Sequence, residues 1–188
     1  MPFQPDLPGL LTPVIQSPER QNTSLESFPD VSSRTLSHYA KVIGRAGELF
    51  VDSLLTRYGE LILAVPEDQP FDRLIRRGER VLTLQIKTSA RAVGGVFKFA
   101  MKKGYSGSTY GIRGYSPEDY DIAALVALPE NVVMFSADRR ESHRIGVDQI
   151  GALRADPRAS YLRALEDIGF VSPCKPEDGQ SLPHIPAC

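Results

Sequence analysis

The chain has 188 residues, 22 Lys/Arg against 23 Asp/Glu, a formal net charge of −1, and 41% hydrophobic and 24% charged residues. This is the length and balance of about one ordinary globular domain, and it excludes fibrous, low-complexity and disulfide-scaffold classes. No run approaches the roughly 18 apolar residues of a membrane span, and no basic-then-apolar leader opens the chain. A cytoplasmic protein without a membrane partner is expected.

Residues 1–31 carry six of the fifteen prolines and residues 172–188 four more, so both ends read as disordered proline-rich tails around one domain over 32–171. Cys174 and Cys188 both lie in the second tail, which suggests neither a disulfide framework nor a zinc site. His38, His143 and His184 show no metal-ligand spacing. The near-zero net charge hides an asymmetry. Residues 73–115 contain ten Lys/Arg and one acid, Glu79, whereas the stretches on either side are acidic. A local excess of that size is the footprint of a polyanion partner.

In chain order, a long helix is predicted from Ser32 or Ser33, which can cap it, to Tyr58, with Gly59 as its stop. Ile43, Ala46, Phe50 and Leu54 form its apolar stripe, and Lys41, Arg45, Glu48 and Asp52 run beside it. Glu48 stands at the edge of the buried face, where a sheet packed on the helix would meet it. Gly44 and Gly47 each cost about 1 kcal/mol of helix propensity, which close packing or a ligand's approach would offset. Leu61–Val65 is a short strand ended by Pro66.

Phe71–Arg76 and Val81–Thr88 then form a hairpin about a turn at Gly78. Leu82, Leu84 and Ile86 alternate towards a core; Val81, Thr83, Gln85 and Lys87 face the other way, with Asp72 across the hairpin from them. Val96–Ala100 is a further strand. Lys102–Tyr115 is a flexible basic loop in which Tyr105, Tyr110 and Tyr115 alternate with glycines, a composition suited to nucleic acid. Asp121–Leu128 and Val132–Ala137 are buried strands joined at Asn131, and Tyr161–Ile168 is a closing helix. The order is that of an α/β fold with a mixed central sheet flanked by helices.

An acid, an amide oxygen and an ammonium on one strand face suit metal-assisted phosphodiester hydrolysis. Mg²⁺ or Mn²⁺ takes oxygen ligands and needs only one or two carboxylates. Asp72 supplies one, the Gln85 side chain and the Ile86 carbonyl supply neutral oxygens, and Lys87 stands ready for the attacking water. Glu48 could bind the metal through water or accept a proton.

Gly44-Arg45-Ala46-Gly47-Glu48, Pro70-Phe71-Asp72 and Leu84-Gln85-Ile86-Lys87-Thr88 together resemble the PD-(D/E)XK nuclease superfamily, over residues 40–137. The resemblance implies the restriction-endonuclease-like αβββαβ core and a DNA endonuclease with Glu48, Asp72, Gln85 and Lys87 as catalytic residues. Gln85 stands where the name pattern has an acid, as in the glutamine variant of group I intron homing endonucleases. Arg73, Arg76, Arg77, Arg80, Arg91, Lys98, Lys102, Lys103 and Arg113 form the pool of phosphate contacts. The fold implies a homodimer or higher homo-oligomer, and RNA stands beside DNA as a substrate. Two other readings fit the same residues: a nucleic-acid-binding module without catalysis, and a protein-interaction domain that recruits partners through its proline-rich tails.

Overall fold

The computed structural model describes residues 24–104, 107 and 111–170. The expected tails therefore lie outside the described residues except for 24–31, as do Tyr105 and Tyr110. Chain contacts divide into two compact units, one ending at Ala40 and the other beginning at Lys41. In the first, Ser32 caps helix α1 (Ser33–His38) by accepting the Thr35 N–H at 3.1 Å. The single helix expected here is two. Ser37, His38 and Tyr39 are weak helix formers, and Tyr39 leaves helical geometry (φ −97°, ψ 18°) before α2 (Ala40–Arg57) begins.

The second unit is built on a five-stranded sheet of order β1-β2-β3-β7-β8. Its strands are β1 (Leu61–Ala64), β2 (Arg73–Arg77), β3 (Arg80–Ser89), β7 (Ile122–Ala127) and β8 (Val132–Ser136). The β2–β3 hairpin is the one expected, with Arg77 opposite Arg80 and Gly78 at φ +62° in the two-residue turn. β3 and β7 are parallel, with Gln85 beside Ala123 and Lys87 beside Leu125; every other pairing in this sheet is antiparallel. The mixed sheet read from the sequence is therefore present. All six positions of β7 are buried, as its uninterrupted apolar run requires.

α2 and α4 (Ala159–Asp167) cover one face, where Val51, Leu54, Leu55, Tyr161 and Leu165 pack on Ile75, Leu82, Leu84, Ile86 and Val126. Both helices end in a left-handed glycine followed by a six-residue back-bond: Glu60 N–H to Leu55 O (3.1 Å) after Gly59, and Phe170 N–H to Leu165 O (2.8 Å) after Gly169.

A second ribbon, β4 (Val96–Ala100) paired with β9 (Ser142–Gly146), covers the other face together with α3 (Ile150–Ala155). There Phe97, Phe99, Met101, Ile145 and Ile150 meet Ala123, Leu125 and Ala127. β9 and α3 are additions to the sequence reading. The link from β3 to β7 carries β4, β5 (Lys102–Lys103) and β6 (Arg113–Gly114), with no helix among its described residues. It delivers this ribbon onto the face that Gln85 and Lys87 share. No helix among the described residues is long and apolar enough to cross a membrane.

Candidate metal and nucleic-acid site

Asp72 sits one residue before β2 and completes the ladder that the strand leaves unfinished. Its N–H donates to Leu84 O (2.9 Å), and its Oδ2 accepts the Ile86 N–H at 2.6 Å. The same oxygen accepts from Gln85 Nε2 at 2.7 Å. A carboxylate only accepts, so the amide must turn its nitrogen towards Asp72. That nitrogen also reaches Ile86 O at 3.2 Å. The amide NH₂ thus bridges two of the oxygens expected to ligate a metal. Burial raises the pKa of Asp72; the Ile86 N–H, Lys87 and Arg73 pull it back, and Glu48 adds to the rise.

Lys87 shares this face two residues on. Its ammonium donates to Lys102 O at 3.0 Å and lies 5.1 Å from the centre of the Tyr115 ring. Burial lowers its pKa, partly countered by Asp72. Burial raises that of Tyr115, and Asp72 is the next contributor. The three groups therefore occupy one electrostatic neighbourhood.

Glu48 lies near it, at the edge of the buried face of α2. It lines a cavity of about 610 Å³ with Asp72, Lys41 and Gly44. Its carboxylate is already held, however, by Arg45 (2.8 Å) and Arg73 (3.0 Å). Arg73 also grips Asp52 with two bonds, 2.7 and 2.9 Å, and is 3% exposed. This corrects the placing of Arg73 among the phosphate contacts. Arg73 pairs with Leu84 in the ladder and so points with it towards α2, away from the face of Asp72 and Gln85.

Gly47 owes its place to close packing: a Cβ there would fall 2.0 Å from Thr88 Oγ1. α2 therefore approaches the end of β3 within a distance only glycine allows. Nothing lies within 4 Å of a Cβ at Gly44, which instead borders the cavity.

The basic residues separate into two groups. Arg76, Arg77 and Arg80 cluster at the hairpin turn, and Arg80 lies seven residues from Lys87, about 23 Å along the strand. Arg77 bonds Glu60 at 3.4 Å, and the Arg80 guanidinium stacks 3.9 Å from the Phe170 ring centre. At the Lys87 end stand Arg91, Lys98, Lys102, Lys103 and Arg113. Lys103 is ion-paired with Asp119, while Lys98 is exposed directly opposite Arg144 on β9. Like charges facing across a ladder repel, and neither has an acidic partner among the described residues. Arg144 is the residue sequence reasoning missed, and Tyr115, read as a loop aromatic suited to nucleic acid, instead turns inward against Lys87 and Tyr120. Period-two alternation in S-H-R-I-G was the available signal for Arg144; nothing local marked the inward turn of Tyr115.

Among the described residues no group of three or more His, Cys, Asp or Glu is placed to hold a metal ion. The set that does converge, one carboxylate, one side-chain amide and one main-chain carbonyl, is all hard oxygen once the amide is turned. It fits Mg²⁺ or Mn²⁺, which keep several waters and need few carboxylates. Glu48 does not fit as a direct ligand while two guanidinium groups hold it.

No protein-family model matches the chain, and no curated protein matches it. Among solved structures, the chain is similar to the bacterial homing endonuclease I-Ssp6803I, at 15% sequence identity and a TM-score of 0.45, over 60% of this chain and 72% of that one.

Proposed function

We propose that the protein is a metal-dependent DNA endonuclease that hydrolyses phosphodiester bonds, acting in the cytoplasm as a homo-oligomer. The observation that carries this reading is the convergence of the Asp72 carboxylate, the Gln85 amide, the Ile86 carbonyl and the Lys87 ammonium on one covered strand face. When bound, Mg²⁺ or Mn²⁺ supplies an acidified water and withdraws charge from a phosphoryl oxygen. Asp72, Ile86 O and, after rotation of its amide, Gln85 Oε1 hold the ion. Lys87 orients the attacking water and stabilises the negative charge that grows on the phosphate. Glu48 fixes Arg73 and Arg45 beside the cavity. Lys98, Lys102 and Arg144 supply backbone contacts on the ribbon side, and the hairpin arginines lie a duplex width away.

The test is incubation of wild type and Lys87→Ala with supercoiled plasmid and a panel of branched DNAs, in Mg²⁺, Mn²⁺ and EDTA. Wild type nicks only with metal; Lys87→Ala does not nick and retains its DNA affinity. Cleavage by Lys87→Ala at the wild-type rate overturns the assignment. The double pairing of Glu48 with arginines leaves one unpaired acid and favours a second reading, a DNA-binding module without catalysis. DNA retention with no cleavage in any metal selects it.

A further inference from the structure

Lys87 and Asp72 influence one another electrostatically, yet the ion pairs of the described residues do not join them. Both partners of the ammonium are neutral, the Lys102 carbonyl and the Tyr115 ring. An ammonium that fell onto the carboxylate would neutralise it and compete with any cation seeking the same oxygens. We propose that Tyr115 is a positioning residue: its ring, with the Lys102 carbonyl, holds Lys87 off Asp72 and so keeps that carboxylate open to a divalent cation. This rests on the metal-nuclease reading above.

The ring is itself anchored. Its edge meets Tyr120 at 5.2 Å and 86°, and its body packs against the core under the ribbon. The Lys103 ammonium lies 5.6 Å from its centre, and Lys103 is tied to Asp119, which also accepts the Ser116 N–H at 2.6 Å. Residues 102–103 and 115–120 thus fix the ring from two separate stretches of the link between β3 and β7. A π face attracts an ammonium without adding a counter-charge. That suits a lysine which must stay charged beside a carboxylate reserved for another cation.

The experiment measures Mn²⁺ binding to the DNA-free protein, from the loss of the free-ion electron paramagnetic resonance signal. Tyr115→Leu binds Mn²⁺ about tenfold more weakly than wild type, the factor that loss of such a contact allows. Tyr115→Phe, which keeps the ring, binds as wild type does. Adding Lys87→Met to Tyr115→Leu restores affinity, because the competitor is gone. Unchanged binding by Tyr115→Leu, or no recovery in the double variant, overturns the inference while leaving the metal site standing. A wild type that binds no Mn²⁺ overturns the metal reading and this inference together. A second measurement needs no ring-removing variant: proton NMR of wild type, with Lys87→Arg for assignment, shows the Lys87 ε-methylene shifted upfield by the ring. Its appearance at the ordinary lysine position overturns the proposal.

Discussion

Replacing Gln85 by glutamate puts an acid where the amide now bridges Asp72 and Ile86, and its cost can be worked from the geometry. Gln85 Nε2 stands 2.7 Å from Asp72 Oδ2, so two carboxylates at that separation cannot both stay ionised. The folded protein keeps one protonated, and the new hydrogen bond substitutes for the amide's. In the unfolded chain the glutamate ionises near its usual value of about 4.3. The folded pKa is raised, so the penalty is absent at acid pH and grows as pH rises. At about 1.4 kcal/mol per pH unit it reaches about 1 kcal/mol near pH 5 and about 4 near pH 7.5. For a chain of this size the latter is a fall of about 8–16 °C in Tm. Calorimetry in EDTA across that range, repeated with Mg²⁺ or Mn²⁺, is the assay. Divalent cation narrows the gap, because it takes the place of the proton between the two acids. A Gln85→Glu protein that melts with wild type at every pH in EDTA would refute the contact on which the site is built.

The remaining expectations concern the shell around the site. Asp72→Asn abolishes cleavage yet flattens the pH dependence of stability: burial raises the folded pKa of Asp72, so its ionised form destabilises the native state as pH rises through that value, and asparagine has no such loss. Gly47→Ala costs about 1–3 kcal/mol in denaturant melts through its clash with Thr88, and Thr88→Ala recovers part of it. Arg73→Met costs about 2–3 kcal/mol because it strands Asp52 and leaves Glu48 to Arg45 alone, and it leaves the salt dependence of DNA binding unchanged. Arg144→Ala and Lys98→Ala do the reverse: stability holds, and each lowers the slope of log K against log salt by about 0.9. Equal salt slopes for wild type and Arg144→Ala would remove the ribbon from the interface.

The hairpin, the strands on either side of Asn131 and the pairing of Asp72 with Gln85 were legible because period-two alternation is local. The same rule, applied one residue further, would have turned Arg73 inward: neighbours on a strand face opposite ways, so Asp72 and Arg73 cannot serve one surface. β9 escaped notice because S-H-R-I-G offers only one apolar side chain, Ile145, to its buried side, with His143 as the other. The break at Tyr39 was hidden because the cap at Ser32 or Ser33 and the stripe that begins at Ile43 lie on either side of it and together read as one helix. The inward turn of Tyr115 was beyond sequence reasoning for another reason. Its neighbours Lys87 and Tyr120 meet it only once the β3–β7 link has folded back over the sheet.

The hydrogen bond from the Ile86 amide to Asp72 bears on how such a site would decay. That side-chain oxygen finishes a strand ladder, so a lineage that stopped cutting DNA would still gain from keeping an acceptor there, aspartate or asparagine, and the acceptor would outlive the activity. Lys87 props up little of the backbone: its ammonium rests on one carbonyl and one ring. Drift would reach it first. Among proteins sharing this architecture, the lysine rather than the aspartate would be the residue to inspect when sorting the living enzymes from the retired ones.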